Sequence, residues 1–339
     1  MKEYKIGIIP GDGIGRDVIR ATQIVLDTIA STARGYTLEF LPLDAGEAAI
    51  EKQGKAFPQE TVDGINKADA VLFGASHTPG VIPGFKNTFD LYANVRPIKA
   101  LPGTDAIQPN TDFVIVRENS EGLFSGVGWI DRGYHVDCRV FTTKGMERII
   151  RFAFEYAERE GRSKVTFTHK AHVLKNTDEP MRKLFYEMAN DYPKIEANDL
   201  TVDHCGMEIV MHPERLDVVL TENSNGDILS DVGAGVIGGI GFAAGGNIGY
   251  SKAVFEPIHG TAPKYAEKDI VNPSAAILAA KMMFEYLGER DTGSRILQAL
   301  KDVLTEGNVR THHMGGTAST TAFAQAVAQR IQESEAAPS

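Results

Sequence analysis

Short apolar runs closed by glycine or proline alternate along this chain with longer stretches whose apolar residues recur at helical spacing. Residues 5–9 (KIGII) form a β-rich run ended by Pro10-Gly11-Asp12-Gly13, after which Val18, Ile19, Ala21, Ile24, Val25 and Ile29 repeat at helical intervals. That order predicts a strand, a tight glycine turn and a helix. The rhythm returns at residues 70–73 before Gly74, at 113–116 before a polar turn, at 165–168 and at 218–220. Strands of this length alternating with amphipathic stretches predict an α/β chain with parallel pairing. Residues 275–287 (AAILAAKMMFEYL) and 321–334 are expected to be helices, and the terminal EAAPS to fray. No Pro/Ser-rich linker and no internal repeat marks a domain boundary.

Composition narrows the function classes. With 339 residues, 42% hydrophobic and 24% charged, the chain has the balance of a folded globule large enough for a substantial core. The net charge of −10 has the wrong sign for coating nucleic acid, so any positive site has to be local. Two isolated cysteines, Cys138 and Cys205, exclude a disulfide scaffold and a cysteine-based zinc site. The opening MKEYKIGIIPGDG lacks the apolar core of a secretion signal, which makes the cytoplasm the expected location. The uncharged stretch 232–249 holds eight glycines in eighteen residues, too much backbone freedom for a membrane span.

Four features carry candidate chemistry. Gly11-Asp12-Gly13-Ile14-Gly15 stands where a dinucleotide fingerprint would, but its third glycine comes one position early and Asp12 would set a carboxylate against a diphosphate. A turn that merely seats the first helix is the better reading. In TENSNGDILSD, Asp227 and Asp231 are four apart and would share one helix face; they suit Mg²⁺ or Mn²⁺, or simply a favourable helix dipole. Lys170 and Asp203 each follow an expected strand, where open α/β folds gather their chemistry, although a lone lysine is more often an ordinary surface cation. Arg96 and Arg117 also follow apolar runs; as two guanidinium forks they fit a substrate with several carboxylates, or else protein carboxylates.

Taken in order, IPGDGIG, DLYANVRP, VIVRENSEG, THKAHVL, VDHCGMEIV, NGDILSD and FEPIHGTAPKYAEKDIVNP are recognisable. From residue 9 to GGTASTTAF near residue 323, the chain resembles the β-decarboxylating dehydrogenases, the family of isocitrate, homoisocitrate and 3-isopropylmalate dehydrogenases. The resemblance implies an isopropylmalate/isocitrate dehydrogenase-like fold: a discontinuous large domain (1–98 plus 249–339), a small domain (99–248), and a homodimer sharing its active sites. It implies NAD or NADP on the segment that opens at His259 and ends at Asn272, with Gly260, Thr261 and Ala262 near the phosphates, Lys264 and Tyr265 at a 2′-phosphate, and Asn272 at the adenine. Arg96, Arg117 and Lys86 would then hold the carboxylates of a hydroxy di- or tricarboxylic acid. Asp227 and Asp231, with Asp203 of a second copy, would hold Mg²⁺ or Mn²⁺, and Lys170 of that copy would take the hydroxyl proton.

Two departures keep the substrate open. The family usually has tyrosine where Phe124 stands, leaving Lys170, a water, Tyr134, His172 or His204 to return the final proton. Its first substrate arginine is Lys86 here, which keeps the charge and loses the fork. The preceding stretch 76–88 (SHTPGVIPGFKNT) is short and holds two prolines and two glycines, so it is not expected to form the usual helix; Val81 and Ile82 are candidates to face an apolar substituent. The leading expectation is metal-dependent NAD(P) oxidative decarboxylation of a 3-substituted malate, isocitrate-like or homoisocitrate-like before 3-isopropylmalate. A D-malate or tartrate dehydrogenase and a non-catalytic regulatory subunit are the alternatives.

Overall fold

A computed structural model describes residues 1–336. In chain order the elements are β1 (Lys2–Gly11), α1 (Gly15–Thr32), β2 (Tyr36–Pro42), α2 (Glu47–Gln53), α3 (Gln59–Lys67), β3 (Ala70–Ala75), α4 (Val81–Phe89), β4 (Ala93–Lys99) and β5 (Asp112–Glu118). An exposed hairpin, β6 (Gly128–Asp131) and β7 (Tyr134–Asp137), comes next. It is followed by α5 (Thr143–Arg159), β8 (Lys164–His169), α6 (Asp178–Ala189), β9 (Glu196–Thr201), α7 (Val202–Met211), β10 (Val218–Thr221) and α8 (Asn223–Val236). The chain closes with β11 (Ala244–Ile248), β12 (Ala253–Pro257), α9 (Ser274–Tyr286), α10 (Arg290–Glu306) and α11 (Thr320–Ala336). Glu335 and Ala336 continue this last helix, and the rest of the tail expected to fray lies outside the described residues.

Ten strands form one sheet in the order β2-β1-β3-β12-β11-β4-β5-β10-β8-β9. The strand–helix alternation follows the hydrophobic rhythm, but the pairing is parallel only within the two halves. Between them β11 and β4 pair antiparallel with every neighbour, which leaves the halves pointing in opposite directions. Residues 249–252, which join β11 to β12, are too few for a crossover, so that pair has to be a hairpin. The left half draws on both ends of the sequence and the right half on its middle.

Helices α1, α9, α10 and α11 cover the first half through Ile19, Leu26, Phe284, Leu300 and Phe323. Across the second half, α5 and α6 bring Phe154 onto Tyr192 and Phe185, with ring centroids 4.8 and 5.3 Å apart. Both cysteines are free thiols, Cys205 buried and Cys138 partly exposed. No helix among the described residues is long and apolar enough to cross a membrane.

Two expectations need correction. The stretch 76–88 does carry a helix, α4, because Pro83 falls in its first turn, where an amide has no intrahelical acceptor to lose. Val81 does not face an open pocket; it is fully buried with Phe73 and Phe85 in a third core cluster, against which Ile82 packs in part.

Candidate active site

At the centre of the sheet, β4 and β5 pair so that Asn94 lies opposite Arg117, and Arg96 follows two residues on. Alternation along a strand therefore puts all three on one face. Both guanidiniums are almost fully buried and aimed by side chains rather than by solvent. Arg96 donates from Nε to Asn94 Oδ1 at 2.7 Å and from Nη1 to Ser230 Oγ at 2.5 Å. Arg117 donates from Nε and Nη2 to Asn223 Oδ1 at 3.0 and 2.7 Å. Burial and the neighbouring Arg96 pull the Arg117 guanidinium down to about 10.

Helix α8 lies over this pair. Its N-cap, Glu222, accepts from the backbone amides of Ser224 (3.0 Å) and Asn225 (2.6 Å), which fixes the first turn. Gly226 allows the close approach, since a Cβ there would lie 2.7 Å from Arg117 Cγ. Asp227 and Asp231 share a face of α8, as their spacing predicts, and Asp227 Oδ1 accepts from Arg117 Nη1 and, at 3.4 Å, from Arg96 Nη1. Partial desolvation and repulsion from Asp227 raise the Asp231 carboxyl, against the pull of Arg96.

Lys86, on α4, completes the positive cluster. Its ammonium stands 5.7 Å and the Arg117 guanidinium 5.3 Å from the centroid of the Phe124 ring, so both cations flank one aromatic side chain. Burial and the charge of Arg117 push Lys86 down to about 8, while Glu256 opposes the shift. Three cations and the acids Asp227, Asp231 and Glu256 thus lie within electrostatic reach of one another.

Lys170 and Asp203 are brought together, but as a separate pair. Lys170 follows β8, where its backbone amide donates to Asp178 Oδ2 at 2.7 Å, and its Nζ donates to Asp203 in the first turn of α7. That bond holds the Asp203 carboxyl down to about 2. Among the described residues no three His, Cys, Asp or Glu side chains lie close enough to share a metal ion, so one copy does not unite Asp203 with Asp227 and Asp231.

The segment 259–272 lines a cleft of about 460 Å³ together with Ile14, Ile240, His312 and His313. Two buried polar atoms there have no partner among the described residues, His259 Nε2 and Asn272 Nδ2. Burial pushes the His259 imidazole downward, towards the neutral form. The glycine turn buttresses this cleft from behind: Ile14 N donates to Thr261 O at 2.8 Å, and His77 Nδ1 lies 3.1 Å from Thr261 Oγ1. Asp12 is buried and accepts from Ser76, from Thr78 Oγ1 at 2.8 Å and from Glu47 N at 2.8 Å, so its charge is spent on the turn itself. Ala262 has a left-handed φ of 33° and Gly260 is exposed. Lys264 stands 4.7 Å above the Tyr265 ring and makes no ion pair among the described residues.

Sequence reasoning missed the side chains that aim the arginines, namely Asn94, Asn223, Ser230, Asn247 and Glu256, along with the cleft-lining Ile240, His312 and His313. Asn94, Ser230 and Glu256 do sit inside the recognised motifs, and Asn94 alternates in register with Arg96, a usable signal. His312 and His313 lie in an irregular turn with no periodicity to mark them. Tyr134 is an exposed hairpin residue, and His204 pairs with Glu208 at 3.3 Å.

Comparison with known proteins gives consistent matches. The family described as isocitrate/isopropylmalate dehydrogenase matches residues 5–327. A 3-isopropylmalate dehydrogenase of Methanothermobacter thermautotrophicus is 43% identical over 98% of this chain and 100% of its own. An isocitrate/homoisocitrate dehydrogenase of Thermus thermophilus is 43% identical over 97% of this chain and 99% of its own. Among solved structures, an isocitrate dehydrogenase from Methylococcus capsulatus superposes with a TM-score of 0.91 at 40% identity, covering 97% of this chain and 99% of that one.

Proposed function

Because this chain belongs to the isocitrate/isopropylmalate dehydrogenase family, and is an oxidoreductase acting on a CH–OH group, we propose that it oxidatively decarboxylates a 3-substituted malate with NAD or NADP and a divalent metal. The observation that carries the reading is the buried Arg96–Arg117 pair with Lys86 beside it, facing Asp227 and Asp231. A polyanion that also ligates a cation suits both signs of charge gathered there. Isocitrate-like and homoisocitrate-like acids come first, because Lys86 offers a third cation to a third carboxylate; 3-isopropylmalate follows.

The residues fit the two missing groups. The oxygen-only acids Asp227 and Asp231, with Asp203 of a second copy, suit Mg²⁺ or Mn²⁺. The unpartnered His259 Nε2 and Asn272 Nδ2 suit a nucleotide, with Gly260, Thr261 and Ala262 close to its phosphates. Lys264, beside Tyr265 and without an acidic partner among the described residues, favours NADP at a 2′-phosphate while leaving NAD usable.

In the proposed reaction Arg96 and Arg117 orient the malate carboxylates, and their buried side-chain partners keep both forks in place before substrate arrives. Lys170 of the second copy accepts the hydroxyl proton on its free amine and so becomes the ammonium, while Asp203 holds that side chain in place. When bound, the metal would supply positive charge to stabilise developing negative charge on the substrate, and the nicotinamide would supply the hydride acceptor. Phe124, half-exposed beside Lys86 and Arg117, has no proton to return to carbon.

The same reading extends to a homodimer with shared sites. Trp129, Ile130 and Tyr134 on the hairpin are 55, 75 and 72% exposed, and Met211 on α7 and Ile228 on α8 are 56 and 63% exposed. Apolar surface of that extent beside an incomplete metal set is best covered by a second copy. The proposed division into 1–98 plus 249–339 and 99–248 draws support from the outer strands, β2, β1, β3 and β12 on one side and β5, β10, β8 and β9 on the other, while β11 and β4 between them fall in interchanged order. A cytoplasmic location is proposed with it.

Purified protein supplied with Mg²⁺, NADP or NAD, and a panel of isocitrate, homoisocitrate, 3-isopropylmalate and D-malate should reduce the nucleotide and release CO₂ with at least one acid. No reduction with any of them would refute the reading; preference for D-malate would shift it to the unsubstituted substrate. Lys86 adds a pH signature. Its ammonium is present below about 8 and lost as pH rises through that value, so KM for the preferred acid should climb roughly tenfold between pH 7 and pH 9. Lys86→Arg should flatten that climb; an unchanged profile would remove Lys86 from substrate binding.

A further inference from the structure

A row of buried polar side chains crosses the middle of the sheet from β12 to β4. Glu256 Oε1 accepts from Asn247 Nδ2 at 2.7 Å, Asn247 Oδ1 accepts from Asn94 Nδ2 at 2.6 Å, and Asn94 Oδ1 accepts from Arg96 Nε at 2.7 Å. Asn119 gives Asn247 Oδ1 a second donor at 2.9 Å and is itself tied to Leu91 O at 2.9 Å. The row is built into the register, since Asn247 on β11 lies opposite Asn94 on β4, which lies opposite Arg117 on β5.

The polarity of each amide is dictated by its partners. Turning Asn247 over would set its NH₂ group against the NH₂ groups of Asn94 and Asn119 and its oxygen against the Glu256 carboxylate. Asn94, Asn119 and Asn247 are all nearly fully buried, so no water is at hand to mend such an error. Apolar side chains would hold the centre of a sheet at least as well, so four polar residues in this row need a purpose other than stability.

Position suggests one. Glu256 lies at the end of β12, three residues before His259, where the strand runs into the cleft-lining segment, and its charge acts on both Lys86 and Arg117. Arg96 is the other end of the row and faces Asp227. We infer that Asn247 is a positioning residue that ties the Arg96 guanidinium to Glu256, so that filling the nucleotide cleft and gripping the substrate carboxylate are energetically coupled. This rests on the reading of Arg96 as a substrate clamp and of 259–272 as the nucleotide segment. With the row intact, any shift of the β12 end on nucleotide binding is carried through rigid amides to the guanidinium; with it cut at Asn247, the guanidinium keeps Asn94, Asp227 and Ser230 but no longer answers to Glu256.

The test is a binding cycle without turnover, using Mg²⁺, D-malate as the core common to all the candidate acids, and NADPH. Wild-type protein should bind D-malate about tenfold more tightly when NADPH saturates, and D-malate should tighten NADPH by the same factor. Asn247→Asp keeps the acceptor for Asn94 and Asn119 but opposes a second carboxylate to Glu256. It should bring the coupling to within about twofold of none while leaving NADPH affinity alone unchanged. Asn94→Ser, which cuts the row at its other joint, should do the same, and it decides the matter if Asn247→Asp does not fold. Loss of stability alone would lower the melting temperature and leave the coupling factor intact. Full coupling in a folded variant, or no coupling in the wild type, would overturn the inference. Failure of the wild type to bind D-malate or NADPH at all would instead bring down the functional reading beneath it.

Discussion

Lys170→Met should lower turnover of the preferred acid by about 10²- to 10⁴-fold while leaving the affinities for nucleotide and acid close to wild type. The size follows from the loss of a positioned proton acceptor for the substrate hydroxyl. The selectivity follows from location, because Lys170 is not among the side chains around Arg96 and Arg117 that hold carboxylates, and it does not line the nucleotide cleft. Folding should survive the change. The Lys170 side chain is 31% exposed and its partner Asp203 66% exposed, so no buried charge is stranded. Rapid-mix kinetics on the substrate-saturated variant, with nucleotide binding measured separately, checks both halves. A variant that turns over at wild-type rate would exclude Lys170 from the chemistry, and one that fails to bind the acid would make it a binding residue instead.

The hydrophobic rhythm made the strand–helix alternation legible because strands buried on both faces read as short apolar runs, as β3 and β5 do. Pairing direction was not legible, since it depends on which strand becomes the neighbour and on connections such as 249–252. The helix at α4 was hidden by its prolines and glycines, whose cost depends on the turn they occupy rather than on their number. Within the site, Arg96, Arg117, Asp227 and Asp231 could be picked out as charges following apolar runs or sharing a helix face. Their neutral supports could not: Asn223 and Ser230 bear no charge and acquire meaning only when α8 seats them against a guanidinium, and Asn247 only from the register that seats it against Asn94. The Asp12 turn shows the converse. Its sequence imitates a phosphate loop, yet the carboxylate is consumed by Ser76, Thr78 and Glu47, and the turn serves the nucleotide segment only by bracing Thr261.

Co-expressing two inactive variants should restore activity, and the arithmetic of sharing sets how much. If Asp227 and Asp231 of one copy work with Lys170 and Asp203 of the other, each homodimer of Lys170→Met or of Asp231→Asn has two damaged sites. A heterodimer of the two concentrates both defects in one site and leaves the second whole. Heterodimers isolated through two different affinity tags should therefore show roughly half of wild-type turnover, against a background lower by two orders of magnitude or more in either homodimer. Were each site confined to a single chain, the same heterodimer would carry one defect in each of its sites and stay at background. The structure gives the first outcome a physical basis, because the described residues bring Lys170 to Asp203 and Arg96 and Arg117 to Asp227, but leave the two groups apart. Two such half-sites become one when the exposed apolar surfaces of the β6–β7 hairpin, α7 and α8 are covered by the second copy. An inactive heterodimer of folded chains would therefore refute both the shared metal set and the interface that assembles it.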